Sequence, residues 1–359
     1  MAETVASTSD FDALTTDFTP KVLVDNIFVG TPVLLKFRNN MIAVDGRAWT
    51  PLIEYASHDG EWYDEGDIAG TPTTVTGQIA RRAKFTLKFY RRKLLLDAQQ
   101  TDLQGNLALV SVLQAHIKNA INSARVNLST KLFTGNPAAT PAEMNSLNLA
   151  CDNLEAGNDW GDVDVSTYTT WKAHVMEGTD TFATAVSPTI ENLSQLIQET
   201  LYTSGELPDL GIVDPAYWRV LVGQIDRDQM AIDLATHKGS DVIKWGFSAL
   251  FIDGVPFVPD RDCQGAAWVA AQASRDDAAG YQAYLVNFNR LKMAYNRKRS
   301  FKWDPDGWRR PTNYDQYLNY YYQWVTIGSN KRWALGRQYN VDITQAPADW
   351  VPGTVTIPS

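Results

Sequence analysis

Cysteine is scarce in this chain, which has only two among its 359 residues. Cys151 and Cys263 lie far apart and form no CxxC pair, so the sequence predicts neither a disulfide framework nor a paired-cysteine metal site. This scarcity indicates a reducing compartment. We interpret the two residues as buried, apolar thiols.

Long apolar runs are also absent, and no stretch approaches the ~18 uninterrupted apolar residues of a membrane helix. The first ten residues are small, polar and acidic, without the basic-then-apolar pattern of a secretion signal. Hydrophobic residues make up 44% and charged residues 20%, which is typical of a core-forming chain. A net charge of -9 argues against a protein that grips nucleic acid over its whole surface, although it leaves room for a local basic patch.

Sequence motifs for catalysis are missing as well. The chain contains no GxSxG elbow, no GxxxxGK phosphate loop, no GxGxxG turn and no calcium loop. The histidines have no second ligand at metal-binding spacing: His58, His116, His174 and His237. We therefore expect no enzyme activity, no metal and no cofactor. The alternative is a soluble hydrolase whose active site assembles without a linear motif.

Residues 41–90 carry the pattern of β structure, with a tight-turn signal in the Asp-Gly pair at 45–46. Residues 82–89 alternate polar with apolar side chains, and the apolar ones would share one face: Ala83, Phe85, Leu87 and Phe89. The intervening residues 59–72 are rich in glycine, acids and turn formers. Two strands joined in this way predict an extended hairpin arm that is too narrow to bury a core alone.

A long amphipathic helix is predicted at residues 101–134. Its apolar residues recur every three or four positions in one stripe: Leu103, Leu107, Val110, Leu113, Ile117, Ile121, Ala124, Leu128 and Leu132. Thr101 and Gln104 form a capping-box pair, and Gly135 with Pro137 supplies the stop. At about 1.5 Å per residue this helix would be roughly 50 Å long. The single stripe favours a helix laid along a sheet over a coiled-coil seam.

The rest of the chain alternates helices and strands without a regular repeat. Helices are predicted to start at Ser187-Pro188 and at Asp214-Pro215, where proline takes the first helical position. Residues 251–258 predict a hairpin with an Asp-Gly turn, and further strands are predicted at 210–213, 284–286, 317–326 and 333–341. This order of elements predicts an α+β fold.

Charge is segregated into blocks along the chain. Residues 54–67 hold six acids and residues 152–164 hold five, without a base, whereas residues 81–93 hold seven bases without an acid. Residues 290–310 hold eight bases against two acids. A solvated face is the plain explanation of any single block, but the set predicts complementary patches that meet between copies of the chain. The aromatic, basic stretch 295–308 offers an alternative, contact with nucleic acid.

The candidate inter-subunit contacts from these blocks are charged residues of both signs. They are Glu54, Asp59, Glu61, Asp64, Glu65, Asp67, Arg81, Arg82, Lys84, Arg91, Arg92, Arg297 and Arg299.

Several phrases along the chain carry a family resemblance. In order they are TPVLL at 31–35, Trp62 with its acidic loop, FTG at 133–135, LPDLGIVDPAYW at 207–218, GVPFVPDRDC at 254–263, YLVN at 284–287 and SNKRWAL at 329–335. Their order, over residues 20–345, resembles that of a tailed-phage major capsid protein with the Hong Kong 97-like fold. The resemblance implies five segments: an N-terminal arm (1–40), an extended loop that lies over a neighbour (41–90), a peripheral domain with a spine helix (91–135), an axial domain (136–312), and a return to the peripheral domain with a C-terminal tail (313–359).

The same resemblance implies a structural subunit that assembles into hexamers and pentamers of an icosahedral shell around phage double-stranded DNA. The DNA would be contacted non-specifically, and a portal and decoration proteins would be further partners, with no membrane. Assembly would take place in the bacterial host cytoplasm, and the final location would be the virion capsid. A bacterial encapsulin-type nanocompartment shell is the alternative within the same fold.

Two departures from the family pattern carry expectations of their own. Some members cross-link neighbours through a lysine on the extended loop, but this chain has no lysine between Lys36 and Lys84. We therefore expect a shell without isopeptide cross-links. Some relatives carry a fused scaffolding segment at the N-terminus, and this sequence shows no helical, charged prefix, so we expect a separate scaffolding protein or none.

Overall fold

The computed structural model of the chain describes residues 31–54, 80–97, 106–152, 160–165, 167–168, 170–176, 188–224, 249–263, 281–310 and 316–341. The helices of this part are α1 (Pro32–Asn39), α2 (Asn106–Thr134), α3 (Leu147–Ala150), α4 (Ile190–Ser204) and α5 (Pro215–Gln224). None of these helices combines the length and the apolar character that a membrane crossing requires.

Fifteen strands accompany the helices within the described residues. They are β1 (Met41–Val44), β2 (Ala48–Trp49), β3 (Leu52–Glu54), β4 (Ala80–Arg82), β5 (Phe85–Thr86), β6 (Lys88–Asp97), β7 (His174–Met176), β8 (Leu210–Val213), β9 (Leu250–Ile252), β10 (Val255–Pro259), β11 (Tyr281–Val286), β12 (Leu291–Asn296), β13 (Lys302–Trp303), β14 (Gln316–Ser329) and β15 (Gly336–Val341). This mixture of helices and strands confirms the predicted α+β class.

Strand β14 is the shared strand of a five-stranded sheet with the order β1-β12-β14-β13, in which β6 also pairs with β14. The β6 pairing is antiparallel over ten residue pairs, from Gln316 opposite Asp97 to Val325 opposite Lys88. The end of β14, from Val325 opposite Tyr295 to Ser329 opposite Leu291, pairs antiparallel with β12. Strand β14 thus pairs with three other strands of this sheet, β6, β12 and β13.

Strand β1 belongs to the same sheet and not to the predicted arm. It runs parallel to β12, with Met41 opposite Met293 and Val44 opposite Asn296. The Asp-Gly pair at 45–46 therefore does not close a hairpin, because the backbone of β1 is paired with β12 and the chain then leaves the sheet. Strands β2 and β5, and β3 and β4, form two short antiparallel pairs that make a ribbon. Residues 55–79, which include Trp62, lie outside the described residues.

The predicted alternation in residues 82–89 holds only in part. Ala83, Phe85 and Leu87 are buried, but Phe89 is 48% exposed. The chain passes from the ribbon to the sheet at Leu87, whose N–H donates to the carbonyl of Arg47 at 2.9 Å, and β6 then joins β14. The inward positions change from odd to even residues at this step, so that Leu94 is buried further along β6.

Helix α2 matches the predicted long helix wherever the described residues cover it. Its buried stripe consists of Ile117, Ile121, Ala124, Leu128 and Leu132, and it shares one core with Leu94 and Leu96 of β6. The helix stops at Gly135, where a Cβ would collide with the backbone carbonyls of Met144 and Lys131. The predicted capping pair at 101 and 104 lies outside the described residues.

The six-stranded sheet has the order β7-β15-β11-β8-β10-β9, and α4 and α5 pack on it. The predicted hairpin is confirmed: Asp253 (φ 48°) and Gly254 (φ 81°) are both left-handed, as a tight turn between β9 and β10 requires. Helix α5 begins at Pro215 as predicted, and Asp214 accepts a hydrogen bond from the Ala216 N–H at 2.8 Å.

Two boundaries differ from the sequence predictions. Helix α4 is capped by Thr189 rather than Ser187, because the Thr189 hydroxyl accepts from the Asn192 N–H at 3.3 Å. The strand predicted at 333–341 begins only at Gly336, since Arg332–Ala334 forms a turn of 3₁₀ helix.

The predicted domain limits cut through the sheets. The boundary at residue 312 separates β13 from β14, which pair with each other, and β15 lies in the six-stranded sheet. The division into arm, loop, peripheral and axial domains stays a prediction.

Arg332 lies on the segment that connects β14 of the five-stranded sheet to β15 of the six-stranded sheet. Its side chain is completely buried, and the guanidinium lies 5.1 Å from the ring centre of Trp160. It donates hydrogen bonds at 2.6–3.2 Å to four backbone carbonyls, those of Leu149, Ala150, Asp152 and Trp171. Burial lowers the pKa of Arg332 to about 10, so the group stays charged at neutral pH. Arginine is the only side chain whose planar group of N–H donors can satisfy so many carbonyls at once.

We expect Arg332→Lys to lower the free energy of unfolding by about 3 kcal/mol, because an ammonium cannot reach all four carbonyls and leaves buried acceptors unpaired. Denaturant unfolding of unassembled chain measures the loss. Arg261→Lys is the matched control, since the Arg261 side chain is 75% exposed and should change stability little. Equal stability of the two variants would contradict the role of Arg332.

Candidate inter-subunit surface

The outward face of the β6–β14 pair carries alternating cationic, aromatic and aliphatic side chains. Arg91 lies opposite Tyr322, Lys93 opposite Tyr320, and the ends are apolar pairs. We call this the cationic–aromatic face and define it by Phe89, Arg91, Lys93, Leu95, Leu318, Tyr320, Tyr322 and Trp324, with Arg299 beside them. Phe89 (48%) and Leu95 (39%) are among the most exposed large apolar residues of the described chain.

Guanidinium groups cover the rings of this face. Arg91 lies 5.6 Å from the ring centre of Tyr320. Arg299 lies 5.8 Å from that of Tyr322 and 5.9 Å from that of Trp324. Such contacts contribute about 0.5–1 kcal/mol each at exposed sites, and they orient the arginines before any partner arrives.

The turn that carries Arg299 is held by hydrogen bonds between its side chains and the backbone. The Asn296 side-chain oxygen accepts from the N–H groups of Lys298 (2.9 Å) and Arg299 (3.1 Å). The Ser300 hydroxyl donates to the carbonyl of Trp324 at 2.5 Å and accepts from the Trp324 N–H at 3.1 Å. The turn is therefore fixed to β14, and its exposed basic residues, including Arg297, stand at the edge of the face.

Among the described residues, Asp304 and Asp306 are the acids beside this surface, and they leave it positive overall. Asp304 is nearly buried and accepts from Arg309 at 2.9 Å and from the Tyr322 hydroxyl at 3.3 Å. Arg309 also contacts Asp306 at 2.5 Å, so these three charged groups largely satisfy one another. The face keeps a surplus of positive charge from Arg91, Lys93 and Arg299.

The other predicted contact residues lie elsewhere. Arg81 donates to the Tyr168 hydroxyl (3.1 Å) and to the Asp162 carbonyl (3.2 Å), and Lys84 lies 3.7 Å from the Asp162 carboxylate. Both cations are thus engaged within the chain. Arg82 is exposed on β4, and Arg92 lies on the opposite face of β6 from Arg91, near Tyr90. The backbone of Glu54 ends β3, while the predicted acids from Asp59 onward lie outside the described residues: Asp59, Glu61, Asp64, Glu65 and Asp67.

The two cysteines of the described chain lie in surroundings that disfavour reaction. Burial raises the pKa of the Cys151 thiol to about 12 and that of Cys263 well above its usual value, so neither is a ready nucleophile. No group of three metal-ligating side chains occurs among the described residues. His174, whose pKa is lowered by burial, lines an open hollow of about 510 Å³ together with Gln198, Glu199, Tyr202 and Thr203.

Comparison with solved structures identifies the fold of the chain. No family model and no curated protein matches the sequence. Among solved structures, the cyanophage A-1(L) capsid subunit is 13% identical, with a TM-score of 0.65 over 88% of this chain and 93% of that chain. The chain has the Hong Kong 97-like capsid fold.

A second solved structure shares this fold. The capsid of a native GTA particle is 12% identical, with a TM-score of 0.50 over 84% of this chain and 88% of that chain. The cyanophage and GTA structures confirm the fold predicted from the order of sequence elements. The SrpI encapsulin of Synechococcus elongatus PCC 7942 is 10% identical, with a TM-score of 0.46 over 87% and 88% of the two chains.

Sequence reasoning selected Arg91 and Arg299 by charge, but it missed their aromatic partners. Tyr320, Tyr322 and Trp324 lie within a predicted strand, and their alternate spacing was the available signal for a common face. The pairing that brings them beside β6 links distant parts of the chain and leaves no local signature.

We expect both cysteines to resist modification in the folded chain, because burial removes access and disfavours the thiolate. An aromatic disulfide reagent at pH 8 should titrate neither thiol in native protein and both in denaturant. Rapid reaction of one thiol in the native chain would show a reactive cysteine that this structure does not provide.

Proposed function

We propose that this chain is a structural major capsid protein, which self-assembles through hexamers and pentamers into an icosahedral shell enclosing phage double-stranded DNA. The observation that carries the proposal is the capsid fold shared with the cyanophage subunit over nearly the whole of both chains. In this proposal the chain is not an enzyme, and its location is the virion capsid after assembly in the host cytoplasm.

The exposed surfaces of the single chain support an assembling subunit. Leu52 (55%), on the ribbon, is strongly exposed, as are Phe89 and Leu95 at the ends of the cationic–aromatic face. Exposed aliphatic and aromatic residues flanked by arginine are typical of protein interfaces. The described ribbon packs on the core of its own chain through Ile53, Ala83 and Phe85, and Leu52 on its other side is left available to a partner.

Charge complementarity suggests which parts of neighbouring copies meet. The acidic run 54–67 carries six acids and no base, whereas the cationic–aromatic face has a positive surplus. We propose that the acidic run of one copy lies on the cationic–aromatic face of the next. Because the arginines are already stacked on rings, their edges remain available to carboxylates while the rings are covered. This favours an acidic protein segment over stacked nucleic-acid bases.

Charge reversal tests this contact. Arg91→Glu combined with Arg299→Glu should lower the assembled fraction at least about tenfold, since attraction becomes repulsion. Asp64→Lys, Glu65→Lys and Asp67→Lys in the same chain should restore assembly. Lys118→Glu with Arg219→Glu makes the same change of net charge at exposed positions of α2 and α5 and is the matched control. Light scattering and electron microscopy measure the assembled fraction.

The outcomes separate the contact from the function. Normal assembly of the Arg91 and Arg299 double variant would refute the contact while leaving the shell proposal intact. A wild-type chain that stays monomeric under all conditions and turns over a substrate would refute the shell and favour the hydrolase alternative. Closed particles that enclose an enzyme rather than DNA would favour the encapsulin-type compartment. A separate scaffolding protein, a portal, decoration proteins and non-specific contact with DNA stay predictions from the resemblance.

We also expect the assembled particles to dissociate entirely into single chains on a denaturing gel. The reason is chemical, because the segment between Lys36 and Lys84 contains no amine side chain that could attack an amide of a neighbour. Prolonged incubation of particles should leave the single band unchanged. A ladder of covalent multimers would contradict this expectation.

A further inference from the structure

Three aspartates gather where two parallel strands end. Strands β8 and β10 run parallel, with Val258 opposite Ile212, and each is followed directly by an aspartate, Asp214 and Asp260. Asp262 follows two residues later, and the buried Cys263 feels the charges of all three carboxylates. The carboxyl ends of parallel strands meet at one edge of a sheet, which explains why the acids are close.

Asp260 is the innermost of the three. It is 1% exposed, and its Oδ1 accepts from the Asp262 N–H at 3.0 Å. Its Oδ2 is buried and has no hydrogen-bond partner within the described part of the chain. A carboxyl group in this position is far more costly to bury ionised than protonated.

Asp262 connects this edge of the sheet to the long helix. The Ser129 hydroxyl, on the buried stripe side of α2, donates to Asp262 Oδ2 at 2.5 Å. The Asp262 side chain is 13% exposed, so it has a path to solvent that Asp260 lacks. We call Asp260, Asp262 and Ser129 the acidic joint.

We propose that the acidic joint is a pH-sensitive connection, in which ionisation of Asp260 drives Asp262 away from Ser129 and loosens α2 from the six-stranded sheet. A protonated Asp260 lets the Asp262 carboxylate stay on the Ser129 hydroxyl. An ionised Asp260 repels Asp262 across a buried space, and Asp262 is the partner that can turn outward to water. The geometry lies within one chain and does not rest on the proposed function.

The surroundings of the joint contain both signs of charge. Arg261 lies 3.7 Å from the Asp262 carboxylate, but its side chain is 75% exposed and weakly coupled to the interior. From β15, Arg337 acts on the Cys263 thiol and on Tyr284 of β11, and it donates to the Gln282 side chain at 3.1 Å. Within the part of the chain that the structure describes, the other titratable groups facing the cluster are Asp214 and Cys263.

Burial raises the pKa of Asp260 to about 6; the hydrogen bond from the Asp262 N–H opposes this shift, and the Asp262 charge adds to it. An acid with a raised pKa in the closed state favours that state fully below its ordinary pKa, near 4, and this preference is lost as the pH rises through 6. When Asp262 turns outward, water also reaches Asp260, and its pKa returns toward 4. A change of pKa from about 6 to about 4 raises the opening equilibrium of the joint about 50-fold between pH 4 and pH 7.

Hydrogen exchange on the full-length chain measures this opening. After correction for intrinsic exchange, peptides covering 125–134 and 258–263 should show an opening constant that rises about 50-fold between pH 4 and pH 7. Asp260→Asn, a neutral isostere, should keep both peptides protected at every pH. Asp253→Asn is the matched control on the adjacent β9–β10 turn and should retain the wild-type profile.

Ser129→Ala provides a second test that does not depend on the folding of the Asp260 variant. It removes the bond to the helix, so the 125–134 peptide should exchange faster and lose its pH dependence while the 258–263 peptide keeps it. Light scattering at each pH keeps the comparison within one assembly state. A wild-type profile without pH dependence, or an Asp260→Asn profile identical to that of the wild type, would overturn the proposal.

Discussion

The register of β14 against β6 is the constraint on which the rest of the structure depends. Ten residue pairs between the two strands place Tyr321 and Leu96 inward, while Tyr322 and Arg91 face outward. Because side chains alternate along a strand, a slip of one residue would expose the leucines that cover α2 and would bury the arginines. The core and the cationic–aromatic face are therefore two consequences of the same hydrogen-bonded ladder, and neither could change its position independently.

The segment after β14 connects the five-stranded sheet to the six-stranded sheet. The chain leaves the five-stranded sheet at Ser329, turns through Arg332, and enters the six-stranded sheet as β15. Arg332 fixes that path by binding carbonyls on both sides of residues 153–159. A hydrophobic side chain of equal volume would leave those acceptors unpaired, which explains a buried cation at this position.

Local chemistry predicted the parts of this fold whose causes are local. The stripe of α2, the Asp-Gly turn at 253–254 and the proline start of α5 each depend on residues a few positions apart. The parallel pairing of β1 with β12 and the change of face at Leu87 depend on partners distant in sequence, so periodicity alone predicted a simple hairpin arm. The same limit applied to the surface, where charge identified Arg91 and Arg299 but the rings beneath them came from another strand.

The net charge of the whole chain is negative, which makes the segregation of its charges into patches important for contact between copies. Copies that each carry a net charge of -9 repel one another at long range, yet salt screens such repulsion beyond about 8 Å under physiological conditions. Attraction between unlike patches acts at contact distance, where screening is weakest, so segregation lets it exceed the net repulsion. In the proposed contact, Phe89 and Leu95 would add apolar burial that salt does not weaken. The cationic–aromatic face would then combine a salt-sensitive part, which selects the partner, with a salt-insensitive part, which retains it.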